Sequence, residues 1–171
     1  MTDITHDFLV AKAAYWLENS RKCYIVISEK GIADEIPDSI GFGPRGWSIL
    51  VECKVSKSDF YADKKKPSRQ GKPGLGQERW YLTPPGLLNT DSLPEGWGLL
   101  EYRTTKGKRT YLKRIKDADT HNNKILSDRL VKEHRLLLNE VLRIKWRCLA
   151  RHEDINPESW KYDEKIGSYE G

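Results

Sequence analysis

Trp47-Ser48-Ile49-Leu50-Val51-Glu52-Cys53-Lys54-Val55-Ser56-Lys57-Ser58-Asp59 is the stretch on which the fold turns. Its first nine residues are β-branched or apolar apart from Ser48, Glu52 and Lys54, which reads as a strand lying inside a sheet. A strand alternates its faces, so Glu52 and Lys54 share one face while Cys53 points to the other. Ser56 then fits a helix N-cap, and Asp59 stands three residues on, where the acidic partner of a capping box belongs. The helix so begun is expected to run to about Lys66, because Pro67 disfavours helical backbone in the residue before it.

Working outward, thirteen residues separate Glu52 from Pro37-Asp38. Asp38 follows a proline in a polar segment, Glu29 to Asp38, that reads as a loop with an acidic turn at its end. Two carboxylates and an ammonium brought together can hold a divalent cation and a water beside a phosphate. Mg²⁺ or Mn²⁺ accepts two carboxylates and a backbone carbonyl as protein ligands and keeps several waters. On this reading Asp38 and Glu52 are the carboxylates, the Cys53 backbone carbonyl is the third ligand, and Lys54 orients the water or offsets charge on phosphorus. A plainer reading uses the same residues: Asp38 stabilises a turn, and Glu52 and Lys54 form an ion pair on a solvated strand.

The rest of the chain supplies an alternation of helices and strands. Ile4 to Asn19 reads as a mostly buried helix capped by Thr5 or Asp3. Cys23–Ser28 and Ser39–Phe42 read as short strands, and Gly43-Pro44-Arg45-Gly46 as a turn. Pro67 to Gln77 is rich in glycine and proline and reads as a loop. Arg79–Leu82 and Gly96–Tyr102 are expected strands, and Lys106-Gly107-Lys108 turns the chain into a third, Thr110–Leu112. Asn123 to about Arg151 is expected to be a long helix with an apolar stripe at Leu126, Leu130, Leu137, Val141, Ile144 and Cys148. Helix, strands, helix, strands, helix makes an α/β sandwich: a central mixed β-sheet flanked by helices, plus a long C-terminal helix. One domain is expected over residues 1–155, its core at about 4–113 and its last helix at about 123–151. A polar tail follows over 156–171.

Composition narrows the function classes. The chain has 171 residues, 37% hydrophobic and 32% charged, with net charge +5 and pI near 9.0, which is compatible with a polyanionic partner such as DNA. No apolar run is long enough for a membrane span and no signal peptide is recognisable, so a cytoplasmic protein without a membrane partner is expected. Cys23, Cys53 and Cys148 are odd in number and widely spaced, which gives neither a disulfide framework nor a zinc site. His6, His121, His134 and His152 have no metal-ligand spacing and are expected at the surface.

Pro37-Asp38 with Glu52-Cys53-Lys54 resembles the PD-(D/E)xK nuclease superfamily. The string Val51 to Pro67, and the pair Arg79-Trp80-Tyr81-Leu82-Thr83-Pro84-Pro85-Gly86-Leu87-Leu88 and Leu93 to Leu100, are similar to a subgroup of small bacterial and phage proteins related to its DNA-repair members. The resemblance spans roughly Cys23 to Tyr102. It implies a restriction-endonuclease-like sandwich and a Mg²⁺- or Mn²⁺-dependent deoxyribonuclease in DNA repair or phage DNA metabolism, with catalytic Asp38, Glu52 and Lys54. Many members add an acidic ligand from the first helix, for which Glu18 and Asp7 are the candidates here; Glu35, two residues before Pro37, is a third acidic possibility. Gln77 to Tyr81 matches a QxxxY motif that other members carry on a helix, whereas here it enters a strand. Homodimers are common in the superfamily, so a dimer is open.

Around this centre, Lys57, Lys64, Lys65, Lys66, Arg69, Lys72 and Arg79 are the expected nucleic-acid contacts, with Lys64 to Lys72 as a phosphate-gripping loop or simply a solvated one. Tyr61 is placed to stack on bases, and Trp80 to fill the core. Arg129, Lys132, Arg135, Arg143, Lys145 and Arg147 on the last helix either extend the DNA track or form a solvated face. The alternative to an enzyme is a catalytically weak or inactive nuclease-fold module that recognises DNA structure or a repair partner; a role on RNA is a further one.

Overall fold

A computed structural model describes residues 4–31, 35–66, 69, 74–120 and 126–150. The expected Lys72 contact and the polar tail lie outside these residues. Residues up to Leu136 form one compact unit and those from Leu137 a second. No helix among the described residues is long and apolar enough to cross a membrane.

The first unit is an α/β layer structure built on a six-stranded mixed sheet. The strands are β1 (Ile25–Ser28), β2 (Ser39–Phe42), β3 (Ser48–Cys53), β4 (Glu78–Thr83), β5 (Gly98–Thr104) and β6 (Thr110–Lys116), and they lie side by side in chain order. β1, β2 and β3 pair antiparallel, β3, β4 and β5 pair parallel, and β6 returns antiparallel on β5. The two parallel steps require crossovers. The first carries α2 (Lys57–Asp63); the second is the segment from Pro84 to Trp97, with a short 3-10 turn at Thr90–Ser92. The helix after β3 is three residues shorter than its proline boundary implied. The strand hairpin is longer, reaching Lys116 rather than Leu112.

Helix α1 (His6–Asn19) is capped by the Thr5 hydroxyl, which accepts from Phe8 N–H at 3.2 Å. It buries Leu9, Val10, Ala13, Trp16 and Leu17 against Ile49, Val51, Cys53, Trp80, Leu82, Leu100 and Tyr102. Those seven sheet residues share one face by strict alternation. All six residues of β3 are buried because the sheet is covered on both sides, which is why its sequence reads as a continuous apolar run. Gly98 begins β5 directly under Trp80. A Cβ there would collide with Trp80 Cε3, and would lie 2.6 Å from Cζ3 and 2.8 Å from the backbone N of Ala118. Gly98→Ala is therefore expected to cost about 1–3 kcal/mol by overpacking, read as a lowered thermal midpoint.

The opposite face carries Leu50, Glu52 and Tyr81, with α2 packed over it through Phe60, whose ring meets Tyr81 edge-on at 5.1 Å. α3 (Leu126–Ala150) starts on this face too. Its first turns differ from the expected apolar stripe: Arg129, Glu133 and Leu136 are buried while Leu130 is exposed. Polar pairing sets that rotation. Glu133 Oε1 accepts from Ser48 Oγ at 2.7 Å and from Gly76 N–H at 3.0 Å, tying the helix to the start of β3.

Candidate active site

The Pro37-Asp38 turn leads into β2, and β2 pairs with β3, so the register Ser39 opposite Val51 brings Asp38 to the end of β3. There Asp38 Oδ2 accepts the backbone N–H of Cys53 at 2.7 Å. Glu52 is buried on the α2 face, and Lys54 follows just past the strand end. Lys54 Nζ lies 3.5 Å from Glu52 and 4.0 Å from Asp38. Ser56 caps α2 through Asp59 N–H at 3.2 Å, and the capped first turn and last turn of α2 bring Asp59 and Asp63 to 3.8 and 3.7 Å from the same ammonium. Sequence reading placed Asp38, Glu52 and Lys54 together, and the fold does bring them together. Cys53 points to the α1 side and is fully buried, with a thiol pushed well up by burial.

Arg69 is the residue whose position departs most from expectation. It was read as a phosphate contact on a basic loop, yet it is buried beneath the site. Its guanidinium lies 2.7 Å from Glu35, 2.8 Å from Glu52 and 2.9 Å from Asp63, and 4.8 Å from the centre of the Trp97 ring. A planar, permanently charged fork presents its donors in fixed directions and so can face three carboxylates at close range. Glu35, a candidate metal ligand, uses one oxygen on Arg69 and accepts Leu75 N–H on the other at 2.7 Å. Its role in the fold is thus to anchor Arg69. Glu18 is exposed on α1, as is Asp7.

Of the other expected nucleic-acid contacts, Lys57, Lys65 and Lys66 are exposed and Lys64 is half-buried; Lys66 Nζ also pairs with Asp63 at 2.8 Å. Arg79 is half-buried and donates to the Leu75 carbonyl at 3.0 Å, so it is held by the protein. Arg129 is buried against Glu133 at 3.6 Å and forms no part of a solvated basic face. Trp80 fills the core as expected, and Tyr61 is exposed on α2.

Three participants escaped the sequence reading. Asp63 is almost fully buried and accepts the Tyr81 hydroxyl at 2.8 Å. Its spacing of four from Asp59 on a helix was the signal available. Tyr81 is the tyrosine of the QxxxY match, and it reaches the site from β4, opposite Glu52 in register. His6 was assigned to the surface, but its Nε2 lies 3.3 Å from Asp38 Oδ2. His6, Asp7 and Glu29 also bring ligand atoms within 4.8 Å of one another on the rim.

The electrostatics follow from burial against pairing. Burial pushes the Glu52 carboxyl up to about 7, against the pull of Arg69 and with Asp38 and Asp63 adding to the rise. Burial opposes charge on Lys54, but Glu52, Asp63, Asp38 and Asp59 outweigh it and hold the ammonium above its ordinary range. Burial works against an ionised Asp63 too, yet Arg69 and Lys66 hold its carboxyl well below the usual carboxylate range. Among the described residues, five carboxylates (Glu35, Asp38, Glu52, Asp59, Asp63) meet three cations in direct contact (Lys54, Lys66, Arg69).

Comparison with known proteins adds a fold and no function. No family model matches the chain, and no curated protein does. A protein of unknown function from Silicibacter pomeroyi is similar in structure. It superposes with a TM-score of 0.58 at 19% sequence identity, over 89% of this chain and 96% of that one. The likeness supports the α/β architecture alone.

Proposed function

We propose that the protein is a metal-dependent nuclease of the restriction-endonuclease-like fold that hydrolyses DNA phosphodiester bonds. The observation that carries this is the convergence of Asp38, from the turn before β2, with Glu52 and Lys54 at the end of β3. The acidic surplus around Lys54 suits a hard divalent cation, and carboxylate oxygens are its preferred donors. Asp38 and Glu52 would hold Mg²⁺ or Mn²⁺, with the Cys53 carbonyl as a further ligand. The ion would supply Lewis acidity and a more acidic bound water. Lys54 cannot act as a base while four carboxylates hold it charged; its part is to offset negative charge as it builds on the phosphate. Tyr81 and Arg69 fix Asp63 and Glu52 beneath it.

The test uses plasmid and linear DNA with Mg²⁺ or Mn²⁺. Asp38→Asn keeps an acceptor for Cys53 N–H and should leave the fold intact while removing cleavage. Cleavage that persists in Asp38→Asn would overturn the reading. A second reading, a DNA-binding module without catalysis, is favoured by one contact: Arg69 already occupies Glu52 at 2.8 Å with a charge of its own. Titration with Mn²⁺ separates the two, because an inert module should neither bind the ion through Asp38 nor change its grip on DNA when EDTA is added.

A further inference from the structure

The β5–β6 hairpin is the most lopsided segment in charge. Residues 103–116 contain Arg103, Lys106, Lys108, Arg109, Lys113, Arg114 and Lys116 and no acidic residue. Of 30 basic and 25 acidic side chains in the chain, these seven and none fall here, leaving 23 against 25 elsewhere. The positive balance of the chain is thus concentrated on one edge of the sheet. Thr104 to Tyr111 are all exposed, as are Lys113, Arg114 and Ile115.

Register fixes which way this edge faces. Residues directly opposite across a ladder point to the same side. Glu52 stands opposite Tyr81, Tyr81 opposite Leu99, and two residues on, Glu101 stands opposite Lys113 and Arg103 opposite Tyr111. Lys113, Tyr111 and, by alternation, Arg109 therefore share the face of Glu52. Leu112 between them turns to the α1 side and packs on the core. Lys113 also sits at the level of Lys54 along the strands, since Glu101 is two residues past Leu99 just as Lys54 is two past Glu52. Three strand spacings of roughly 4.8 Å put the two positions about 14 Å apart across the sheet, a span comparable to the roughly 12 Å major groove of a duplex. Arg103 pairs with Glu101 at 2.6 Å and Arg114 with Asp117 at 3.2 Å. A lysine or two protects an edge strand from pairing with another chain; the other five cations, Lys106, Lys108, Arg109, Lys113 and Lys116, with an exposed tyrosine among them, suit a polyanionic backbone instead.

We infer that the β5–β6 hairpin is a second nucleic-acid contact, gripping the backbone of a DNA duplex whose scissile strand lies over Asp38, Glu52 and Lys54. The inference rests on the nuclease reading for where the duplex lies, and on charge and register alone for the contact. Its test measures binding of the full chain to a fluorescent 25-base-pair duplex in EDTA across a salt series. The wild type is compared with Lys106→Gln/Lys108→Gln/Arg109→Gln/Lys113→Gln and with Asp38→Asn. Each lost phosphate contact lowers the log–log salt slope by about 0.9, so the hairpin variant should show a slope smaller by about 2–4 and at least about tenfold weaker binding near 0.1 M salt. Its circular dichroism and thermal midpoint should match wild type, because the four side chains are exposed. An unchanged slope and affinity would overturn the contact. Loss of binding to phosphatidylserine vesicles with unchanged DNA binding would overturn it as well. A wild type that never cleaves DNA but loses binding with the hairpin substitutions would sink the hydrolysis reading and keep this one.

Discussion

Arg69→Leu should lower the unfolding free energy by about 3–5 kcal/mol, the usual cost of removing one partner from a buried ion pair. Glu35, Glu52 and Asp63 all lie against its guanidinium, with side chains 3%, 1% and 1% exposed. Leucine removes the guanidinium from over Trp97 and leaves the three carboxylates facing one another with less counter-charge. Urea unfolding followed by tryptophan fluorescence at pH 7 measures the loss. The sign of its pH dependence is specific. In the wild type Asp63 is held below the unfolded value near 3.9, so its contribution is present at neutral pH and is lost only as pH falls through that region. Without Arg69, burial dominates and the same carboxylate takes up a proton more readily folded than unfolded. The variant should therefore regain stability on acidification, and the gap to wild type should narrow between pH 7 and pH 5. A gap that stays constant over that range would assign the loss to packing and not to charge.

That residue also marks where sequence reading stops. Strand β3 and helix α2 were legible because their signals are local: alternation across Glu52 and Lys54, a serine cap, and a proline downstream. The meeting of Asp38 with Glu52 and Lys54 was legible because two antiparallel strands with a short link between them leave little choice of register. Arg69 sits in a stretch of lysine, proline and glycine whose composition reads as solvated. Its burial depends on Glu35, 34 residues earlier, and Asp63, six residues earlier, both supplied by other elements. The rotation of α3 was hidden for the same reason. Glu133 faces inward to meet Ser48, 85 residues away, and a hydrophobic stripe carries no record of that partner. His6 likewise lacked metal-ligand spacing, and only the packing of α1 beside the Asp38 turn brings it within reach.

Lys54→Met should separate catalysis from stability in a way that Arg69→Leu does not. Its ammonium is within 4.0 Å of four carboxylates, yet each has other support: Arg69 serves Glu52 and Asp63, Cys53 N–H serves Asp38, and Asp59 is 44% exposed to water. The stability loss should accordingly be smaller than for Arg69→Leu, on the order of 1–3 kcal/mol. Cleavage should suffer more, by about 10²–10³-fold in kcat, the usual result of deleting one charge-stabilising donor. KM for DNA should change little, because a group that acts on charge developing in the transition state contributes little to the ground-state complex. Since the ammonium is held above its ordinary range, the wild-type rate should show no alkaline limb from Lys54 below pH 10. A Lys54→Met protein that keeps more than about a tenth of the wild-type kcat would lack the loss such a donor produces, and would move the lysine from the chemistry to the support of Glu52. A fall in kcat with KM and fold unchanged would place its charge at the phosphate.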